Sequence, residues 1–391
     1  MSLGIEHRSP GSDLELNALE DVDDLLIRRT RKQPRSKARK VCGWCCSKEV
    51  LRVVAFSLVF LILGAIIGHV SVRITTTDSG LYTSAVAESQ YTTKFMVVGD
   101  FGREGKDHQS DVALQMALVG EIFKPHFIVS TGDNFYPSGL KVENDPQVMR
   151  TFSSVYAYPS LKVPWYAVLG NHDYGDGSDK HDMRTSPSLQ SSEFMQVLDE
   201  RWICCGGRDF VSERVNFTDD GLLELFFVDT SPYVHEYYKE PWASVSGGIL
   251  DEKEKVEAKR GELDLAIEMS IAPWKIVVGH HPVRSNGMHG DTPELLSVFP
   301  DLLNKYKVDF YLNGHEHDLQ DISEPGNPSL RYITSGAGSR TRIESGYGHN
   351  EKNYFSFKSG FVTIALSKKR ARVQFWHYDS TMAYEYYVDK A

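Results

Sequence analysis

Cysteine is scarce in this chain, with five residues in 391, at Cys42, Cys45, Cys46, Cys204 and Cys205. That is too few for a disulfide framework. Positive charge is also in deficit, 43 Lys and Arg against 53 Asp and Glu, for a net charge of −10. A nucleic-acid binder needs basic surface for its phosphate contacts, so this balance argues against one. No internal repeat is visible. A composition of 41% hydrophobic and 25% charged residues is ordinary for a globular protein and excludes a disordered or fibrous one. The length suits two average domains or one large one.

Long apolar runs are missing but for one. Val53–Gly68 reads VVAFSLVFLILGAIIG, and extension to Val72 gives 20 residues, about the span of a bilayer core. A buried core helix would not be flanked so unevenly, with RRTRKQPRSKARK (28–40) before it and only Arg73 between it and Lys94. The positive-inside rule then predicts a single-pass type II signal anchor over 53–72, with its N-terminus cytosolic and all that follows lumenal or extracellular. A cleaved signal peptide would be shorter and nearer the start. Residues 1–52 carry 11 Lys and Arg against 8 Asp and Glu, leaving 32 against 45 for the rest. This basic, charge-blocked tail reads as disordered. Within it CGWCCSK (42–48) lacks a nearby histidine or second pair for zinc or redox work, which leaves acylation or free thiols. Asp21-Val22-Asp23-Asp24-Leu25-Leu26 resembles an acidic dileucine signal for endosomal or vacuolar sorting. Residues 73–90, rich in Ser and Thr, read as a stalk.

From about Tyr91 short apolar runs end in Gly, Asp, Asn or His: KFMVVGD (94–100), HFIVSTGD (126–133), WYAVLGNHD (165–173), LELFFVDT (223–230), KIVVGHH (275–281) and DFYLNGHEH (309–317). Runs of Val, Ile and Phe closed by turn residues predict buried strands. Helical spacing lies between them, with Val112, Met116, Val119 and Phe123 over 109–123, Leu263 and Ile267 over 252–269, and a short segment closing at 304–307. RYITSG, FVTIAL and ARVQFWHY then follow without a helix. Strands alternating with helices, then a strand-rich tail, predict an α/β sandwich with more than one sheet.

The runs deliver Asp100, Asp133 with Tyr136, Asn171 with His172, Asp229, His280 with His281, and His315 with His317 where the strands stop. Ligands of open α/β sheets gather at such ends. Carboxylate, imidazole, amide oxygen and phenolate form a hard-to-borderline donor set suited to iron, zinc or manganese. Seven donors exceed one tetrahedral site but suit two metals sharing a bridging carboxylate, an arrangement that activates water and clamps a phosphoryl group. The residues alone therefore favour a binuclear phosphoesterase.

GDFG (99–102), GDNFY (132–136), GNHD (170–173), VVGH (277–280) and GHEH (314–317) resemble the five motifs of the purple acid phosphatases, within the calcineurin-like metallophosphoesterases. The resemblance covers roughly 92–388, so that 91–391 reads as one catalytic domain. It is nearest the short single-domain form of the tartrate-resistant mammalian and small plant enzymes. It implies a four-layer α-β-β-α sandwich, here preceded by one N-terminal transmembrane helix. It also implies a ferric site of Asp100, Asp133, Tyr136 and His317, with Asp133 bridging to a divalent iron, zinc or manganese held by Asn171, His280 and His315. Tyr136 sets this family apart, since ordinary metallophosphoesterases lack the tyrosine that gives the purple colour. His172 and His289 match histidines credited with binding phosphate or protonating the leaving group, and Met288 stands where a second such histidine is common. His281 is expected behind the metals, and Asp173 and Asp229 are expected to orient neighbours.

The expected reaction is hydrolysis of phosphate monoesters, and of anhydrides, by attack of a metal-bound hydroxide at acidic pH. There a protonated histidine donates to the leaving group. No Ser or Cys is placed as a nucleophile, since Cys204 and Cys205 lie in a loop away from the motifs. That pair is open to a vicinal bond, an intermolecular bond or two thiols. Asn216-Phe217-Thr218 is a glycosylation sequon, whereas Asn327-Pro328-Ser329 is disqualified by its proline. Expected partners are a phosphorylated small molecule or protein and, through one helix, a membrane; the sequence does not choose an oligomeric state. The competing readings are a phosphoesterase for diesters or nucleotides, peroxidase-like chemistry at iron, and an inactive domain that binds phosphorylated ligands.

Overall fold

The structure, a computed structural model, describes residues 91–176, 187–204, 211–213, 223–244, 247–342 and 348–390. The expected anchor, tail, stalk and Asn216 sequon lie outside these residues. Among the described residues no helix is long and apolar enough to cross a membrane.

The strands run in chain order as β1 (Thr93–Val98), β2 (Phe127–Ser130), β3 (Trp165–Ala167), β4 (Trp202–Cys204), β5 (Val211–Glu213), β6 (Leu223–Phe227), β7 (Trp274–Val278), β8 (Phe310–Asn313), β9 (Leu319–Glu324), β10 (Asn327–Ser335), β11 (Lys352–Ser356), β12 (Gly360–Leu366), β13 (Arg370–His377) and β14 (Met382–Asp389). They form two sheets, ordered β14-β13-β12-β1-β2-β3-β4 and β11-β9-β10-β8-β7-β6-β5. In the first, β1 to β4 are parallel, and the strand-rich tail adds β12, β13 and β14 antiparallel beside β1. In the second, β6, β7, β8 and β10 are parallel, with β5, β9 and β11 antiparallel at the edges.

The apolar runs are continuous because both faces of each sheet are covered. In β1, Phe95 and Val97 face the second sheet, while Met96 and Val98 face the helix Gln109–Phe123. In β7, Ile276 and Val278 point between the sheets, while Val277 meets Leu263, Ile267, Phe299 and Leu303 from helices on the outer side. Helices cover the outer face of each sheet, giving four layers. The inner core joins the sheets through pairs such as Tyr166 of β3 and Phe227 of β6, whose rings lie 6.0 Å apart. Burial of each such side chain contributes roughly 1.5–3 kcal/mol.

The helix expected over 109–123 forms with those bounds and buries Val112, Met116, Val119 and Phe123. The one expected over 252–269 is interrupted. A helical turn Ile249–Glu252 and a 3₁₀ turn Lys253–Lys255 precede the helix Val256–Met269. The charged stretch Asp251–Lys255 offers no apolar side chain to the core, and the buried Glu252 carboxylate instead pairs with Lys259 at 2.7 Å.

Candidate metal centre

The site lies where the parallel strands of both sheets end. Gly99 N–H donates to Ser335 O at 2.7 Å, tying the end of β1 to the end of β10. Asp100 N–H donates to Gly132 O at 3.0 Å, and Gly314 N–H to His280 O at 3.0 Å. Asp100, Asp133 and His315 have φ of 58°, 54° and 68°. Such left-handed backbone is uncommon for non-glycine residues and persists only where surrounding structure imposes it. It turns each side chain back over the strand ends. Gly132, at φ 96°, cannot be replaced, since a Cβ there would meet His280 Nδ1 at 2.6 Å.

Two donor groups form around Asp133. Tyr136 OH lies 2.8 Å from Asp133 Oδ2, 3.2 Å from Asp100 Oδ1 and 3.0 Å from His317 Nε2. On the other side Asn171 Oδ1 lies 3.0 Å from both His280 Nε2 and His315 Nδ1, and His280 Nε2 lies 3.4 Å from Asp133 Oδ1. The two oxygens of Asp133 thus face different groups. All seven implied ligands are brought together.

These atoms suit cations better than one another. One phenol proton faces three acceptors in the first group. In the second, Asn171 Nδ2 donates to Asp176 Oδ2 at 2.9 Å, which leaves its oxygen toward the histidines. His280 Nδ1 faces Thr131 O at 2.8 Å, which places its proton there and leaves Nε2 as a lone pair aimed at the Asn171 oxygen. Acceptors facing acceptors in a buried site call for positive charge between them.

Ionisation agrees. Burial and the Asp133 charge push Asp100 well up, and burial, Asp133 and Asp100 push the Tyr136 phenol well up. Asp133 is also buried, yet His280, His172 and hydrogen bonds hold it at about 2. Burial pushes His280, His315 and His317 down, joined at His315 by the neighbouring histidines and at His317 by Arg342 and Arg103, and overcoming the upward pull of Asp133 on His280; this leaves neutral imidazoles fit to bind metal.

The other expected residues surround this pair. His281 has both nitrogens engaged, Nδ1 with Thr230 Oγ1 at 3.0 Å and Nε2 with Tyr237 OH at 2.9 Å, so it supports rather than ligates. Asp173 accepts from the backbone N–H of Gly170, Asn134 and Phe135 at 2.9–3.2 Å, holding the turns that carry Asn171 and Asp133. Asp229 accepts from Tyr174 OH and Ser231 N–H. Cys204 is buried at the end of β4, away from the two donor groups.

A cleft of about 380 Å³ opens over the centre, and its lining includes His172, His289 and Arg342 together with Asp176, Glu236, Asp291 and Glu294. His172 Nδ1 lies 2.6 Å from Pro137 O, and its Nε2 lies 3.9 Å from Asp133 Oδ2. His289 faces Arg342 across the cleft lining. Its Nε2 accepts from Arg342 Nη1 at 2.9 Å. Burial, then the charges of Arg342 and His280, pushes its pKa down to about 4.

The sequence reading missed three residues. Arg342 lies in a polar loop with no motif around it. Arg103 stacks its guanidinium 3.8 Å from the centre of the Tyr136 ring; its position directly after GDFG was the available signal. Glu316, between two ligand histidines, accepts from His289 N–H at 2.7 Å and Gly290 N–H at 3.0 Å, fixing the loop that carries His289.

The calcineurin-like phosphoesterase family matches residues 93–319. Purple acid phosphatase 4 of Arabidopsis thaliana is 39% identical over 288 residues, which is 72% of this chain and 79% of that protein. Human tartrate-resistant acid phosphatase type 5 is 27% identical over 318 residues, 72% and 86% of the two chains. Among solved structures, GAP50, the anchor in the inner membrane complex of Plasmodium, shares the fold with a TM-score of 0.60 and 23% identity over 76% of this chain and 89% of its own. The family implies a binuclear metal centre, which is what the two donor groups around Asp133 can hold. The chain therefore belongs to the calcineurin-like phosphoesterases, among the purple acid phosphatases, and is an acid phosphatase.

Proposed function

We propose that the protein is a membrane-anchored acid phosphatase that hydrolyses phosphate monoesters at a binuclear Fe(III)–M(II) centre. Ferric iron would be held by Asp100, Asp133, Tyr136 and His317, and a divalent iron, zinc or manganese by Asn171, His280 and His315, with Asp133 shared. The observation that carries this reading is the division of donors around the two oxygens of Asp133. When bound, the two cations supply Lewis-acid activation of water and neutralise charge on the phosphoryl group. His172, with Nδ1 at Pro137 O and Nε2 on the side of Asp133, is positioned to hydrogen-bond a phosphoryl or leaving-group oxygen. The carboxylates of Asp176, Glu236, Asp291 and Glu294 favour monoesters over substrates carrying a second phosphate near the leaving group.

The test is the visible absorption spectrum of the purified full chain beside Tyr136→Phe, with p-nitrophenyl phosphate turnover followed at acidic pH. A purple band that vanishes in the variant, together with turnover by the parent, is expected. A colourless, metal-loaded and active parent would remove Tyr136 from the ligand set and move the reading to the wider phosphoesterase family.

Anchoring through 53–72 rests on the apolar run and its basic flank. In sealed membrane vesicles the catalytic domain should resist added protease, and Asn216→Gln should run faster on a gel. Digestion without detergent would overturn the type II arrangement.

A further inference from the structure

Among the described residues lining the cleft, Arg342 is the one Arg or Lys. Its backbone N–H donates to His317 O at 3.3 Å, which sets the side chain beside the ligand group of Tyr136. Its only side-chain partner among the described residues is His289 Nε2, at 2.9 Å. No described carboxylate lies within ion-pair distance of it. Other arginines of the domain are committed differently. Arg201 pairs with Asp199 at 2.7 Å, Arg284 with Glu324 at 2.8 Å, and Arg103 is held by Ser339 at 3.2 Å while it covers Tyr136. A guanidinium has five N–H donors in a planar fork that matches the edge of a phosphate. Arg342 uses one of them, on a neutral ring. Its charge is nevertheless felt through the site, since it pulls the Asp100, Glu316 and Asp318 carboxyls down against their burial.

We propose that Arg342 is the phosphate anchor of the cleft and exchanges His289 for the non-bridging oxygens of the substrate's phosphoryl group. A charged oxygen is a stronger partner for guanidinium than a neutral imidazole nitrogen, so an arriving phosphate wins the exchange. The exchange frees His289 Nε2 on the cleft side, while Glu316 holds the His289 backbone in place. The backbone of Arg342 is tied to the ligand His317, so the anchor draws the phosphoryl group of a monoester toward the metal ligands.

This assignment rests on the phosphatase reading, and the experiment separates the two. Inorganic phosphate is titrated calorimetrically into the metal-loaded full chain, and the kinetics of p-nitrophenyl phosphate are measured on the same samples. Arg342→Ala should bind phosphate about 10- to 100-fold more weakly and raise KM in step, with kcat changed less, because a charge-assisted contact to the ground-state phosphate is lost. Arg342→Lys should recover part of the affinity. The visible band should stay unchanged in both, which shows that the metal centre is intact. Phosphate affinity within about two-fold of the parent in Arg342→Ala overturns the anchor. Should Arg342→Ala fold poorly, Arg342→Gln keeps the length without the charge, and parental phosphate affinity in that variant overturns the anchor equally. A parent chain that neither binds phosphate nor turns over the ester overturns the function itself, whatever the variants do.

Discussion

The two halves of the metal centre are built from opposite chemistry. Tyr136, Asp100 and Asp133 give the first half three donors that can carry negative charge, with one neutral imidazole from His317. The second half, Asn171, His280 and His315, has none of its own and borrows one oxygen of Asp133. Three anions in a dry site are tolerable only around high positive charge, because burial drives each toward its protonated form. The second half asks for less, since its neutral donors gain little from a trivalent ion. One carboxylate thus joins a site suited to a hard, highly charged cation to a site suited to a divalent one. The difference teaches that the asymmetry lies in the ligands themselves and does not depend on the cleft above them.

The strongest way to break the comparison is to remove what the halves share. Asp133→Asn keeps shape but deletes the one charge that serves both groups. Metal analysis should show both metals lost, and turnover should fall by more than about 100-fold, since even groups behind the ligands cost 10- to 100-fold when removed. Normal metal content in this variant would mean that Asp133 does not bridge.

A smaller and one-sided effect should follow from Asn171→Ala. The divalent metal should weaken by roughly 10- to 100-fold and dialyse out first, while the visible band of the first half persists. Adding zinc or manganese at high concentration should restore activity. Loss of the band along with the divalent metal would show that the halves do not load separately.

Much of this was legible beforehand because the strand ends carry their chemistry in sequence. Buried runs such as KFMVVGD and HFIVSTGD are covered on both faces, so they read as strands, and the polar residue that ends each becomes a site residue by topology alone. Tyr136 was different. It stands in a turn three residues past Asp133, where it could be counted as a donor but only family resemblance assigned it to one metal. Arg342 was invisible because no motif surrounds it and it reaches the cleft through tertiary contacts such as its backbone bond to His317 O. The strand β9 was missed for a related reason. It buries Gln320 and Asp321, which find partners in Asn286, Asp318 and Arg331, so its pattern is polar where a strand search expects apolar residues. The break ahead of Val256 depends on the pairing of Glu252 with Lys259, which hydrophobic periodicity does not report.

The mildest test concerns the support behind the second half. Asp229 accepts from Tyr174 OH, one helical turn from Asn171, and its neighbour Thr230 receives the His280 N–H at 3.1 Å. Burial outweighs its hydrogen bonds and raises the Asp229 carboxyl to about 6 from an ordinary value of 3.8. The folded chain therefore holds this proton more tightly than the unfolded chain does. Between pH 3.8 and about 6 the folded state binds more protons, so stability falls as pH rises through that window and levels off above it. Below it the group costs nothing. Asp229→Asn keeps an acceptor for Tyr174 and Ser231 but removes the titration. Its unfolding free energy should be flatter with pH and, above the window, on the order of 1–2 kcal/mol higher than the parent's. Denaturant unfolding at pH 4 and pH 7 measures this directly. Parallel pH profiles for the two proteins would mean that Asp229 is ionised throughout, and that its partners stabilise the charge more than burial opposes it.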